Sequence, residues 1–192
     1  MAGIGKQAKI LSDADLASVL SALAKTRHPL RNRAAILLSV KAGLRISEVV
    51  RITWPMVLSA NGEIGWKIEI RDRIAKKRSG RVVPMAPILR DALIALRATC
   101  RDEGTIIRSE RGSGLTPVSG CNLFKSIFRS VGLEASSHSG RRTFLTRAAR
   151  TIGKVGGSLE DVRRLAGHAD LKTTSRYIDE NADAVQRLVR II

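Results

Sequence analysis

Apolar residues near the start of the chain recur every three or four positions. Leu16, Val19, Leu20 and Leu23 fall on one face of a helix that Ser12 is placed to cap, with Asp13 and Asp15 suited to the positive end of its dipole. A second helix is expected over 30–42, with Gly43 as its left-handed stop, and a short third over 45–52, ending before Trp54-Pro55. The period then changes. The run Ile64-Gly65-Trp66-Lys67-Ile68-Glu69-Ile70 alternates apolar with other residues, and Arg81-Val82-Val83-Pro84-Met85 is short and β-branched. These are expected to form antiparallel strands joined by a positively charged turn over 71–80. Helical spacing returns over 87–99, 118–131, 141–152, 158–167, 171–178 and 181–191, with a loop at 109–116. No internal repeat or low-complexity tract interrupts this pattern. The fold class it predicts is α+β, mostly α.

Composition adds a size and a charge. At 192 residues, 44% hydrophobic and 27% charged, the chain has the makeup of a globular protein with one sizeable core rather than a disordered one. Lysine and arginine outnumber acids 34 to 17, a net charge of +17 that favours polyanions: nucleic acid or an acidic membrane surface. The longest apolar stretch, Ala34 to Leu38, is far too short to span a bilayer, and Met1 to Lys9 has no signal-like apolar region. Cys100 and Cys121 read as two reduced thiols, and the expected location is the cytoplasm.

The chemistry concentrates around one phenol. Tyr177 is the only tyrosine and follows His168 by nine residues, in the run Leu165-Ala166-Gly167-His168 through Thr173-Thr174-Ser175-Arg176-Tyr177. Upstream, His138 precedes Arg141 by three residues, and Arg45 precedes Glu48 by three on an expected helix, so that the pair shares a side. The hairpin turn carries Lys76 and its neighbour Lys77. A free phenol has a pKa of about 10, so at neutral pH it is a weak nucleophile without a base or a cationic field. Two arginine forks match the oxygens of a phosphorane, and a proton donor on a turn assists a poor alkoxide leaving group. Three widely spaced histidines and two distant cysteines offer no zinc-like spacing, so no metal or other cofactor is expected. Taken singly, each residue has a plainer reading. The tyrosine packs through its ring, His168 caps a helix C-terminus, His138 caps the helix beginning near Gly140, and Arg45 pairs with Glu48 on the surface.

In this order and spacing the boxes resemble the catalytic domain of the tyrosine recombinase (phage integrase) family, from about Leu11 to the C-terminus. The Leu-Ala-Gly-His stretch followed by Thr-Thr and Tyr carries the most weight. The chain departs from the pattern at Gly140, where the family often has leucine between the histidine and the arginine. The resemblance implies a helical catalytic domain with a small antiparallel three-stranded sheet, acting on double-stranded DNA without a metal. It assigns Tyr177 as the nucleophile of a 3′-phosphotyrosyl intermediate, Arg45 and Arg141 to the phosphate, Lys76 to leaving-group protonation, His138 to proton transfer and His168 to the phosphate or the nucleophile. Glu48 then supports Arg45. Arg78, Arg81 and Arg142 are expected among the DNA contacts.

The catalytic pattern begins almost at Met1, so the expectation is a single domain over 1–192 lacking the family's upstream core-binding domain. The resemblance further implies a homo-tetramer on paired DNA sites, a possible accessory DNA-binding protein, and a bacterial or phage origin. Val185, Leu188 and Ile192 share one helical face in the tail, suited to docking on the chain's own core or on a neighbouring protomer. Two other functions fit the same boxes: a type IB topoisomerase-like relaxing enzyme, and a non-catalytic DNA-binding regulator derived from a recombinase.

Overall fold

The computed structural model describes residues 7–75, 80–100 and 103–177. Helix α1 (Asp13–Leu23) opens on a reciprocal capping box: the Asp15 N–H donates to Ser12 Oγ and the Ser12 N–H to the Asp15 carboxylate, each at 3.0 Å. Helix α2 (Pro29–Ala42) starts on a proline, whose missing N–H has no role there, and stops where Gly43 adopts φ 65°. Every residue from Ala34 to Val40 is buried, so α2 runs through the middle of the fold and packs on α4 (Pro87–Arg97) and α6 (Ser137–Thr151). Gly140 makes the α2–α6 approach possible, because a Cβ there would stand 2.9 Å from Ser39 Cβ and 3.1 Å from Val40 Cγ2. The leucine common at this position in the family would not fit against Ser39. The departure at Gly140 is thus matched by a small partner on α2.

The expected third helix shortens to one turn, α3 (Ile46–Val49), followed by a 3-10 turn at Trp54–Met56 that buries Trp54 completely. Strands β1 (Lys67–Ile70) and β2 (Arg81–Pro84) are antiparallel, with Lys67 opposite Pro84 and Ile70 opposite Arg81. Ile68, Ile70 and Val83 point into the core while Lys67, Glu69 and Val82 face out. Among the described residues the sheet has two strands, not the three that the resemblance implies. The region that would add another strand forms only one bridge, Leu58 with Ile64. Its turn closes at once, from the Ser59 N–H to the Glu63 carbonyl and from the Gly65 N–H to the Val57 carbonyl, both 2.8 Å. The chain then bends at Trp66, so no ladder propagates.

Helix α5 (Pro117–Ser130) packs on α1 and α3, while α7 (Leu159–Ala166) contacts α6, β2 and α8 (Leu171–Ser175). The main core runs from Leu11 through Phe128 and is sealed by Phe124 and Phe128 in edge-to-face contact. A second, smaller cluster of Leu145, Val162 and Ala166 joins α6 to α7, and Phe144 and Tyr177 pack partly against it. Among the described residues no helix is long and apolar enough to cross a membrane. The tail helix expected over 181–191 lies outside the described residues.

Candidate active site

Three arginines are organised by one acid and two helix ends. Glu48 is fully buried on α3 and accepts from the Arg45 N–H at 2.9 Å and from Arg45 Nη1 at 3.2 Å. Arg81, at the start of β2, grips the same carboxylate with both ends of its fork, Nη1 to Oε1 at 3.0 Å and Nη2 to Oε2 at 2.9 Å. Burial alone would push the Glu48 pKa up, but hydrogen bonds and charge from Arg81, and then from Arg45, outweigh it and hold it below the ordinary range.

Helix α7 terminates at Gly167, φ 62°, leaving its last carbonyls open to side-chain donors. Arg81 Nε donates to the Leu165 carbonyl at 2.9 Å and Arg141 Nη2 to the Ala166 carbonyl at 2.7 Å. The other end of Arg141 donates to the Gly43 carbonyl at the C-terminus of α2, 2.6 Å away. The negative ends of two helices therefore converge on one buried guanidinium. Burial, then the nearby charges of Arg45 and Arg81, lower the Arg141 pKa to about 9, with Glu48 and Tyr177 opposing; it stays cationic at neutral pH.

His168 follows directly. Its Nε2 lies 3.1 Å from Arg141 Nη2 and its Nδ1 lies 2.9 Å from Thr174 Oγ1. A guanidinium only donates, so Nε2 carries the lone pair and Nδ1 the proton, which Thr174 accepts. Burial and then Arg141, Arg45 and Arg81 lower the pKa of His168 to about 4, partly opposed by Asp170, so the ring is neutral at pH 7. Its loop is clamped by Arg163, which forks onto Glu160 at 2.7 Å and donates Nη1 to the His168 carbonyl at 2.6 Å.

Tyr177 is reached through α8, which Asp170 caps by accepting from the Thr173 N–H at 2.7 Å. The half-buried phenol ring stacks on His168, centroids 5.9 Å apart and planes within 15°. Both rings line a cleft of about 620 Å³ together with Arg45, His138, Arg141 and Arg142. A cavity of about 710 Å³ beside α4, lined by Ile64, Arg90 and Ile94, contains none of them. Chemistry rather than size singles out the smaller space: cations able to hold a tetrahedral anion surround a hydroxyl.

The structure thus brings Arg45, Glu48, His138, Arg141, Arg142, His168 and Tyr177 together around this cleft. His138 lies on the first turn of α6 and is exposed, rather than preceding a helix that begins near Gly140. Lys76, its alternative Lys77, and Arg78 lie outside the described residues. Arg81, expected among the DNA contacts, has a side chain 6% exposed, with its fork turned onto Glu48 and the Leu165 carbonyl. Residue reasoning missed Arg81 as a clasp, Thr174 as the partner of His168, and Arg163 as the clamp. Only Thr174 left a sequence signal, being one of the paired threonines before the tyrosine. Among the described residues no group of three or more His, Cys, Asp or Glu side chains is placed to hold a metal ion.

Comparison with known proteins points one way. The model of the phage integrase family matches residues 9–184. The chain is 28% identical over 173 residues to the tyrosine recombinase XerA of Thermococcus kodakarensis, covering 88% of this chain and 57% of that protein. It is 31% identical over 155 residues to the tyrosine recombinase XerC of Rickettsia typhi, covering 77% of this chain and 47% of the relative. The chain thus spans about half the length of the curated relatives it matches. Among solved structures, the Tn1549 transposon integrase in complex with a circular intermediate DNA superposes with TM-score 0.78 at 17% identity, over all of this chain and 68% of that one. XerH bound to its difH substrate superposes with TM-score 0.74 at 21% identity, over 98% of this chain and 55% of that one. At these identities the structural likeness shows a shared fold.

Proposed function

The chain belongs to the phage integrase family, and from that premise we propose that it cuts and rejoins duplex DNA at specific sites through a covalent bond to Tyr177. The observation that carries the reading is the shared cleft, in which the lone phenol stacks on a neutral histidine and faces the same space as Arg45 and Arg141. The named relatives are tyrosine recombinases, and the superposed Tn1549 integrase is in complex with a circular intermediate DNA and the site-specific recombinase XerH with its difH substrate, which supports double-stranded DNA as the substrate.

In this reaction Tyr177 Oη attacks the scissile phosphorus, forming the O–P bond as the bond to the 5′ oxygen breaks. Arg45 and Arg141 donate to the non-bridging oxygens, where negative charge grows, and the low-dielectric cleft strengthens that contact. Arg45 is kept from collapsing onto a counter-ion because Glu48 is shared with Arg81, leaving part of its fork for the substrate. His138, at the cleft mouth, takes the phenol proton, and Lys76 supplies one to the departing 5′ oxygen. His168 accepts from Arg141 and supports the phenol ring, so its task is to hold both. Resealing is the reverse, with a 5′ hydroxyl attacking the phosphotyrosyl bond. Exchange between two duplexes needs paired sites, so a tetramer of this chain, with or without an accessory DNA-binding protein, belongs to the proposal.

A library of nicked duplexes with randomised arms tests the chemistry without a known target. Covalent protein–DNA bands from the wild type, absent in Tyr177→Phe, are the expected result. No band from either protein would overturn the reading and favour a non-catalytic DNA-binding regulator. Relaxation of supercoiled plasmid with no preferred sequence would favour a topoisomerase-like activity instead.

A further inference from the structure

Arg81 lines no part of the cleft, yet it touches both of its walls. One wall is α3, which presents Arg45; the other is the turn after α7, which presents His168 and leads to Tyr177. A continuous series of donors and acceptors crosses between them: Leu165 carbonyl to Arg81 Nε at 2.9 Å, Arg81 fork to Glu48 at 3.0 and 2.9 Å, and Glu48 to Arg45 at 2.9 and 3.2 Å. Resting on the strand-exchange reading above, we propose that Arg81 is a positioning residue that braces Arg45 against the His168 turn and so sets the spacing of the phosphate site.

Three features support a brace rather than a generic buried ion pair. The fork geometry is used fully, with two parallel bonds on one carboxylate and Nε turned back to a carbonyl, a pattern that a lysine ammonium does not reproduce. Gly167 makes room for it: a Cβ there would stand 3.1 Å from Arg81 Cδ and from Nη1. Arg141 bridges the Gly43 and Ala166 carbonyls as Arg81 takes Leu165, so consecutive carbonyls at the end of α7 are held by two arginines. Arg141 lines the cleft and Arg81 does not, which divides their tasks. Without Arg81, the Leu165 carbonyl loses the donor it has here and Glu48 is left to Arg45 alone. Arg45 is then drawn onto the carboxylate and away from substrate.

The test compares the wild type with Arg81→Met, Arg81→Lys, Glu48→Gln and the Met/Gln double variant, all as the full chain. Inorganic phosphate is titrated while the arginine side-chain N–H signals of Arg45 and Arg141 are followed by NMR, and Arg45→Ala assigns the Arg45 signal. Because Arg45 is drawn onto Glu48 once Arg81 is gone, a strong charge-assisted contact to phosphate is weakened, and the phosphate affinity of Arg81→Met should fall by about 10-fold or more. Arg81→Lys should recover only part of it, and adding Glu48→Gln to Arg81→Met should change little further. On any duplex captured by the wild type, the cleavage rate at saturating DNA should fall while DNA affinity stays within about threefold.

Phosphate affinity of Arg81→Met within threefold of wild type would overturn the brace, as would losses that multiply in the double variant. If Arg81→Met does not fold, Arg81→Lys decides, and wild-type phosphate affinity in it overturns the proposal. A wild type that captures no DNA would defeat the strand-exchange reading and not the brace, which the phosphate titration reads by itself.

Discussion

His168 and Thr174 are joined by a 2.9 Å hydrogen bond between Nδ1 and Oγ1, and the threonine is completely buried three residues before the nucleophile candidate Tyr177. Arg141 can only donate to Nε2, so Nδ1 carries the proton, and Thr174 accepts it and holds the ring in place. The plane in which the ring meets Tyr177 follows from it.

Thr174→Val keeps the shape and removes the acceptor, leaving a buried N–H unpaired. The expected cost is about 1–3 kcal/mol in urea unfolding, with Thr174→Ser close to wild type. Equal stability of the valine and serine variants would show that the bond does not hold the ring.

The depressed pKa of His168 makes stability depend on pH below neutrality. The folded ring protonates near 4 and an unfolded one near 6.5, so between these values the unfolded state binds more protons. Its contribution is complete above about pH 6.5 and is lost as pH falls toward 4, at up to about 1.4 kcal/mol per unit. His168→Gln should flatten that part of the urea-midpoint profile. An unchanged slope would place the titration elsewhere.

Glu48→Gln removes the anion shared by Arg45 and Arg81 while keeping its volume. Breaking a buried pair from one side leaves uncompensated charge, so a loss of about 3–5 kcal/mol is expected by denaturant titration. A loss under about 1 kcal/mol would mean that water or the end of α7 already compensates the cations.

Gly140→Ala should destabilise by about 1–3 kcal/mol, because the added methyl meets Ser39 and Val40 on a helix buried on all sides. Ser39→Gly in the same chain should restore a part of it, and the pair is close enough to couple in a double-mutant cycle. Purely additive effects would show that the two helices do not meet at this point.

Much of the scaffold was legible along the chain. The Ser12 cap, the Gly43 stop and the helical periods of α1, α4 and α5 are local signals, encoded within a few residues of where they act. The apolar pattern marked only two strands; the third was implied by the family resemblance, and around Leu58 and Ile64 the chain forms a single bridge rather than a ladder. The tight turn at 59–63 closes that bridge before a ladder can extend.

The candidate site divides along the same line. The kinds and order of its residues, a lone tyrosine after Gly-His and Thr-Thr with arginines upstream, were set by the sequence, since a phenol, a guanidinium and an imidazole carry their chemistry wherever they are placed. Which way each fork turns was decided only in three dimensions. Arg45, Arg81 and Arg141 are the same residue type in basic surroundings, and nothing nearby in the chain tells the inward one from those that line the cleft. The carbonyls of Gly43, Leu165 and Ala166 and the carboxylate of Glu48 make that choice, because burial obliges each of them to find a donor and folding delivers only these.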